Sequence, residues 1–177
     1  MHKQPKVLKM KRFTMVVEYG FNKENKGAKY FYNGRYMNRG ELIETAIAHK
    51  VFGLSHHRKD TVPFNVKADI EFNHIGYSVK SYESSLCDII TTKRNDDEGK
   101  QYIINGFMEE SVADMYIYGV LHNEMIEYFI MSKDEFAEFL QLWKLDSPEG
   151  NGVYKLRAKR NQKAFKQWFA DKGTVLI

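Results

Sequence analysis

The sequence predicts a single α/β domain in which helices cover a mixed central sheet. Residues Met115–Leu121 and Met125–Met131 are aromatic and β-branched runs around a polar turn, which is typical of a central hairpin. Other segments repeat apolar residues at helical spacing and alternate with short strand patterns. With 177 residues, 43% of them hydrophobic, the chain can bury a core of its own, so we expect one domain over residues 1–177.

Strand patterns dominate the first half of the chain and enclose one helix. Alternation from Phe13 to Phe21 predicts a strand, and Asn33-Gly34 predicts the tight turn of a short hairpin. Apolar residues at helical spacing predict a helix over Gly40–Phe52. Two further strands are expected at 66–72 and 77–82, joined by a turn at 73–76.

The second half adds three helices. Asp96–Glu110 has the pattern of an amphipathic helix, and Ser132-Lys-Asp-Glu135 is a capping box that predicts the start of the next one. A short strand over Val153–Arg157 and a basic amphipathic helix over Asn161–Lys172 complete the chain. The predicted order is strand, hairpin, helix, hairpin, helix, hairpin, helix, strand, helix.

The amino-acid composition limits the cellular location of the protein and the kinds of disulfide or metal site that it can have. The one cysteine, Cys87, cannot form an intrachain disulfide and lacks the Cys or His cluster of a structural zinc site. No apolar run has the length of a signal peptide core or of a membrane span. We therefore expect a cytoplasmic protein with no membrane partner.

Positive charge is concentrated at the two ends of the chain, in the basic segment 1–12 and in the basic helix 159–172 with the residues before it. A polyanion such as DNA or RNA is the predicted partner, and a solubilising surface without a partner is the alternative. The predicted nucleic-acid contacts are the cations of the last segment and two from a basic loop, namely Lys155, Arg157, Lys159, Arg160, Lys163, Lys166, Arg58 and Lys59.

The hairpin over Ala68–Ser81 has residues suited to phosphodiester cleavage. This reaction uses a divalent ion held by carboxylates, a water molecule that the ion acidifies, and a cation near the phosphate. Strand alternation lets Asp69 and Lys80 project onto one face of the hairpin. Glu44 in the preceding helix can join them only if that helix packs beside the hairpin.

In this order of residues the sequence resembles the PD-(D/E)xK nuclease superfamily. RGELIE has the helix acid at Glu44 or Glu41, KADIEF has Asp69, and YSVKSYESSL has Lys80. The resemblance covers roughly residues 38–143 and implies a restriction-endonuclease-like core. It also implies that Asp69 and Glu44 hold Mg²⁺ or Mn²⁺, with Lys80, Asp69 and Glu44 as the catalytic residues. Glu71, on the strand of Asp69, is the third expected metal ligand.

One position departs from the nuclease pattern, because Ser78 replaces the acid of (D/E)xK and removes a metal ligand. Glu71 on the same strand face as Asp69, or Glu83 after Lys80, could supply that oxygen. Each site residue also has a structural alternative: Asp69 could end a turn, and Lys80 could be a solvent-facing charge. Glu41 lies three residues after Asn38, so we expect it to cap the helix.

Two functions follow from these patterns. The first is a nucleic-acid-acting protein with a nuclease-like fold, a metal-dependent endonuclease if it is active. The second is a non-catalytic anti-defence protein that binds a nucleoprotein such as Cas9 with its guide RNA. The tyrosine-, lysine- and asparagine-rich style of MVVEYGFNKENKGAKYFYNGRYMNRGELIE resembles small phage and mobile-element proteins, some of which are anti-CRISPR proteins.

Overall fold

The computed structural model describes residues 9–19, 29–55, 68–81, 85–86, 96–146, 155–172 and 174–176. Its strands are β1 (Met10–Thr14), β2 (Glu18–Tyr19), β3 (Tyr30–Tyr32), β4 (Arg35–Met37), β5 (Ile70–Phe72), β6 (Ile75–Ser81), β7 (Ser85–Leu86), β8 (Met115–His122), β9 (Met125–Ser132), β10 (Lys144–Asp146), β11 (Lys155–Arg157) and β12 (Thr174–Leu176). Its helices are α1 (Arg39–Lys50), α2 (Asp96–Glu110), α3 (Lys133–Leu140) and α4 (Lys163–Lys172).

A six-stranded mixed sheet organises the molecule, with the strand order β12-β1-β9-β8-β6-β5. The hairpin β8–β9 lies at its centre and is antiparallel along its whole length. β6 runs parallel to β8, and β1 runs parallel to β12. Two small antiparallel sheets, β2-β3-β4 and β10-β11-β7, complete the fold. The predicted α/β class is therefore confirmed.

Helix α1 and the β2-β3-β4 sheet cover one face of the central sheet. Gly119 of β8 lets the helix approach closely, because a Cβ atom there would lie 2.6 Å from Cγ2 of Ile43. The buried side chains between these layers are called the α1 core: Phe13, Met15, Tyr32, Met37, Leu42, Ile43, Ala46, Ile47, Ala48, Ile70, Ile117, Ile126 and Tyr128.

Helices α2, α3 and α4 cover the opposite face of the sheet. Their apolar sides meet alternate residues of β8 and β9 in an aromatic cluster, where the rings of Tyr116 and Phe136 stack 4.5 Å apart. The buried side chains of this three-helix core are Met10, Ile103, Ile104, Ala113, Tyr116, Tyr118, Val120, Phe129, Met131, Phe136, Phe139, Leu140, Trp143, Leu156, Ala158, Phe165 and Phe169.

Local signals in the sequence correspond to the observed helix starts and turns. Both predicted capping boxes are present, Asn38 with Glu41 and Ser132 with Glu135, so the capping role of Glu41 is confirmed. The predicted Asn33-Gly34 turn is also present, with φ of 49° and 83° at these two residues.

Some strand boundaries differ from the prediction. The predicted strand over Phe13–Phe21 is replaced by β1, which begins before Phe13 and ends at Thr14. The reason is that residues 11–14 are the ones that pair with β9. The turn of the β5–β6 hairpin is shorter than expected and consists of Asn73 and His74, both with positive φ. Within the described ranges, no helix is both long enough and apolar enough to cross a lipid bilayer.

Candidate nucleic-acid interface

Asp69 lies immediately before β5, and its carboxylate binds the neighbouring strand. Its Oδ2 atom accepts a hydrogen bond of 2.7 Å from the backbone amide of Val79 and one of 3.3 Å from the hydroxyl of Ser78. In the predicted nuclease pattern, Ser78 stands where the second acid is expected. In place of a second carboxylate, the hairpin therefore presents a hydroxyl that binds the first one.

Lys80 lies on the face of the sheet that the three-helix core covers. In the parallel β6–β8 register it pairs with Tyr118, whose side chain belongs to that core. Its Nζ atom lies 5.9 Å from the ring centroid of Phe107 in α2, close enough for a cation–π contact. Ser78 shares this face with Lys80, because strand neighbours two residues apart point the same way.

The remaining predicted metal ligands differ in position. Glu71 is exposed, and it alternates with Ile70 and Phe72, which face α1, so its side chain points to the same face as Lys80. Glu44 lies in α1, which packs on the opposite face, and its side chain is only 5% exposed. The structure thus brings Asp69, Glu71 and Lys80 to one face and places the helix of Glu44 on the other.

The positions of these acidic side chains decide whether the described residues can form the predicted Mg²⁺ or Mn²⁺ site. Among the residues whose positions are described, no three Asp, Glu, His or Cys side chains form a group that could hold a metal ion. The described acids therefore do not form a shared three-carboxylate site. Metal binding stays a prediction.

Among the described residues, the predicted nucleic-acid contacts divide into two arginines with protein partners and four lysines without them. Arg157 on β11 lies beside Asp146 on β10, with Nε 3.0 Å from Oδ2 of the acid. Both side chains are well exposed, so the pair adds little stability but partly neutralises this arginine.

Arg160 is the more buried of the two arginines. Its guanidinium lies 4.4 Å from the ring centroid of Phe169 and 3.8 Å from the carboxylate of Glu127. One N–H group donates to Nε2 of His122 across 2.8 Å, which requires that this nitrogen carries no proton. We call Arg160, His122, Glu127 and Phe169 the Arg160 cluster. It joins the start of α4 to the β8–β9 hairpin.

The Arg160 cluster also changes the protonation of His122. Burial lowers the pKa of this imidazole, and the Arg160 charge lowers it further. The Glu127 carboxylate acts in the opposite direction, but the net change is downward. His122 therefore stays neutral to lower pH than an exposed histidine does, which preserves its hydrogen bond with Arg160.

The four lysines of this segment differ from the two arginines in their contacts. In the ranges that the structure describes, the side chains of Lys155, Lys159, Lys163 and Lys166 form neither an ion pair nor a hydrogen bond. Lys163 and Lys166 are exposed, and with Asn161, Gln167 and Ala170 they line a shallow groove of about 460 Å³. We call the four lysines the basic surface.

Two predicted contacts, Arg58 and Lys59, lie outside the described residues, as does Glu83. The sequence reasoning missed the partners of the two arginines, namely Asp146 for Arg157 and His122 with Glu127 for Arg160. The acidic residue types of Asp146 and Glu127 were the only signal in the sequence, because carboxylates pair with guanidinium groups. No protein-family model, curated protein or solved structure matches this chain. The resemblance to nucleases therefore stays a prediction.

Proposed function

We propose that this protein binds nucleic acid through the basic surface. The observation that supports the proposal is the absence of any protein partner for these four lysine side chains within the described ranges, beside two arginines that have partners. Lysine heads without protein partners remain available to phosphate groups. A lysine contacts phosphate as a compact point charge, so the proposal is binding of the backbone without base recognition at this surface.

The proposal has a quantitative consequence. Each phosphate that a lysine neutralises releases counterions and adds about −0.9 to the slope of log affinity against log salt for duplex DNA. Four contacts would produce a slope of about −3 to −4. Arg160 would contribute little to this slope, because its charge is already shared with Glu127 and Phe169.

Fluorescence anisotropy with labelled DNA and RNA over a range of salt concentrations tests the proposal. The double variant Lys163→Gln/Lys166→Gln should weaken binding and reduce the salt slope by about 2. Lys50→Gln/Lys133→Gln is the matched control, because it removes two exposed lysines from α1 and α3. Equal slopes for the two double variants, or no binding by the wild type, would overturn the proposal.

Phosphodiester cleavage is the second candidate, and the shared sheet face of Asp69, Ser78 and Lys80 supports it. The test is incubation of labelled DNA and RNA with Mg²⁺, with Mn²⁺ and with chelator, beside Asp69→Ala and Lys80→Ala. Cleavage that requires metal and is lost in both variants would support an enzyme. Binding of nucleic acid without cleavage under all conditions would indicate a binding protein. The anti-defence alternative would then be tested by whether a Cas9–guide RNA complex competes with the labelled nucleic acid for this protein.

A further inference from the structure

In the Arg160 cluster, the carboxylate of Glu127 lies beside two side chains that can carry positive charge. Its Oε1 atom is 3.5 Å from Nε2 of His122, and its Oε2 atom is 3.8 Å from Nη2 of Arg160. Among the described residues, Oε2 is buried and has no hydrogen-bond partner. Glu127 therefore attracts Arg160 by charge, without a hydrogen bond that would hold the two groups together.

The hydrogen bond between Arg160 and His122 exists in only one protonation state of the histidine. Nη1 of Arg160 can only donate, and it lies 2.8 Å from Nε2 of His122. A proton on Nε2 would place two N–H donors and two positive charges face to face. The next acceptor for the new N–H group is Oε1 of Glu127, 3.5 Å away. Protonation would therefore exchange Arg160 for Glu127 as the partner of His122.

The other charged groups near His122 favour this exchange. Arg12 of β1 is cross-strand from Glu127, so both side chains point to the same face of the sheet. Glu124 is exposed in the hairpin turn, where solvent screens its charge. The residues of β12 that pair with β1, Thr174–Leu176, carry no charged side chain. With His122 protonated, three cations would surround one largely buried carboxylate, and their repulsion would displace the least constrained of them.

Arg160 is the least constrained of these cations. It lies in the turn before α4 with its side chain 24% exposed, whereas His122 is held in the β8–β9 ladder. The ring of Phe169 also contacts Arg160, but this ring belongs to α4 and does not tie the arginine to the hairpin. Lys159 precedes Arg160, and the exposed Lys163 follows three residues later. An arginine released from the hairpin would therefore join the basic surface.

We infer that protonation of His122 releases Arg160 from the β8–β9 hairpin and adds it to the basic surface as a further phosphate contact. The inference rests on the proposed function and concerns the regulation of that surface. Burial and the Arg160 charge lower the pKa of His122, so Arg160 is held at neutral pH and released in mild acid. Nucleic acid would then bind more tightly in mild acid, because the protein gains a cation while the phosphodiester groups keep their charge.

Fluorescence anisotropy with labelled DNA, measured over a range of salt concentrations from about pH 7.5 to about pH 5, tests the inference. The wild type should bind about fivefold more tightly at the lower pH, with a salt slope steeper by about 0.9, because one phosphate contact is added. Arg160→Gln removes the cation, and His122→Gln removes the titrating group but keeps an acceptor for Arg160. Both variants should lose this gain.

His74→Gln is the matched control, because His74 is an exposed histidine in the β5–β6 turn. It should keep the gain in affinity. An equal gain in His122→Gln and in the wild type would overturn the inference, since other groups would then account for the pH response. Circular dichroism at both pH values would establish that each protein is folded.

NMR can follow the release of Arg160 without nucleic acid. Nuclear Overhauser contacts between the Arg160 side chain and the β8–β9 hairpin should disappear with the midpoint of the His122 titration, and they should persist in His122→Gln. Contacts that remain after His122 is protonated would overturn the inference and leave the proposed function in place. Absence of DNA binding by the wild type at every pH would instead overturn the proposed function, and this inference with it.

Discussion

The backbone amide of Val79 donates a hydrogen bond of 2.7 Å to Oδ2 of Asp69. The paired residues of β5 and β6 extend only from Ile70 with Tyr77 to Phe72 with Ile75. The carboxylate of Asp69 therefore takes the place of the backbone carbonyl that a longer β5 would offer to β6. Its immediate physical role is to satisfy a donor at the point where the hairpin ladder ends.

Asp69→Ala should lower the free energy of unfolding by about 1–3 kcal/mol, because the partly buried Val79 amide loses its acceptor. Asp69→Asn should lower it less, since the amide oxygen can still accept. Urea denaturation measures both. Equal losses of stability in the two variants would contradict the hydrogen-bonding role. If Asp69 were instead a catalytic carboxylate, both variants would lose enzymatic activity.

Gly119→Ala should lower the free energy of unfolding by about 1–3 kcal/mol. The added Cβ atom would lie 2.6 Å from Cγ2 of Ile43, so α1 would have to move away from β8. Gly40→Ala is the control, because its Cβ would lie 3.5 Å from the Asn38 side chain and alanine favours a helix. Thermal melting should show a lower midpoint for the first variant only, and equal midpoints would argue against tight packing at Gly119.

Tyr128→Phe should raise the free energy of unfolding by up to about 1 kcal/mol, because the Tyr128 hydroxyl is buried without a hydrogen-bond partner among the described residues. Tyr116→Phe should lower it by about 0.5–1.5 kcal/mol, since it loses a 2.5 Å hydrogen bond to Ser111. Opposite signs in urea denaturation are expected. A loss of stability in both variants would show that Tyr128 has a polar partner.

Tyr128 should also make the fold sensitive to alkali. Burial raises the pKa of Tyr128 to about 12, compared with about 10 in an unfolded chain. Between these values the unfolded state releases its proton first, so stability should fall as the pH rises from about 10. The urea midpoint of Tyr128→Phe should fall less over this range, and a parallel decline in both proteins would contradict the assignment.

His122 should make the fold sensitive to mild acid. Its pKa is lowered in the folded state, mainly by burial, so the unfolded chain binds the proton first as the pH falls below about 6.5. Stability should therefore decrease from pH 7.5 to pH 5.5, and less so in His122→Gln. An NMR titration should place the His122 transition below 6.5; a transition above that value would contradict the neutral role beside Arg160.

The parts of the fold that were predicted depend on neighbouring residues in the chain. The capping boxes at Asn38 and Ser132, the helix Asp96–Glu110 and the central hairpin are each specified within a short window. Strands of two or three residues, such as β7 and β10, carry too little periodicity to predict and form because partners lie beside them.

The candidate site was harder to predict, because it depends on which face of the sheet each element covers. Glu44 suits a metal site and Lys80 suits a phosphate-binding site by residue type, but α1 and α2 cover opposite faces of the sheet. The contacts of Arg160 were hard to predict for the same reason. His122 and Glu127 come near Arg160 only because α4 packs on the β8–β9 hairpin. Sequence patterns identify the residue types and leave such long-range contacts open.

The pairing of β1 also affects the order of folding. This first long strand lies inside the sheet, between β9 and β12, and both of its partners are synthesised far later. On the ribosome, β1 would expose two unpaired edges until more than two thirds of the chain had emerged. Folding is then limited by long-range pairing and should be slow for a domain of this size, with aggregation through β1 as the competing process.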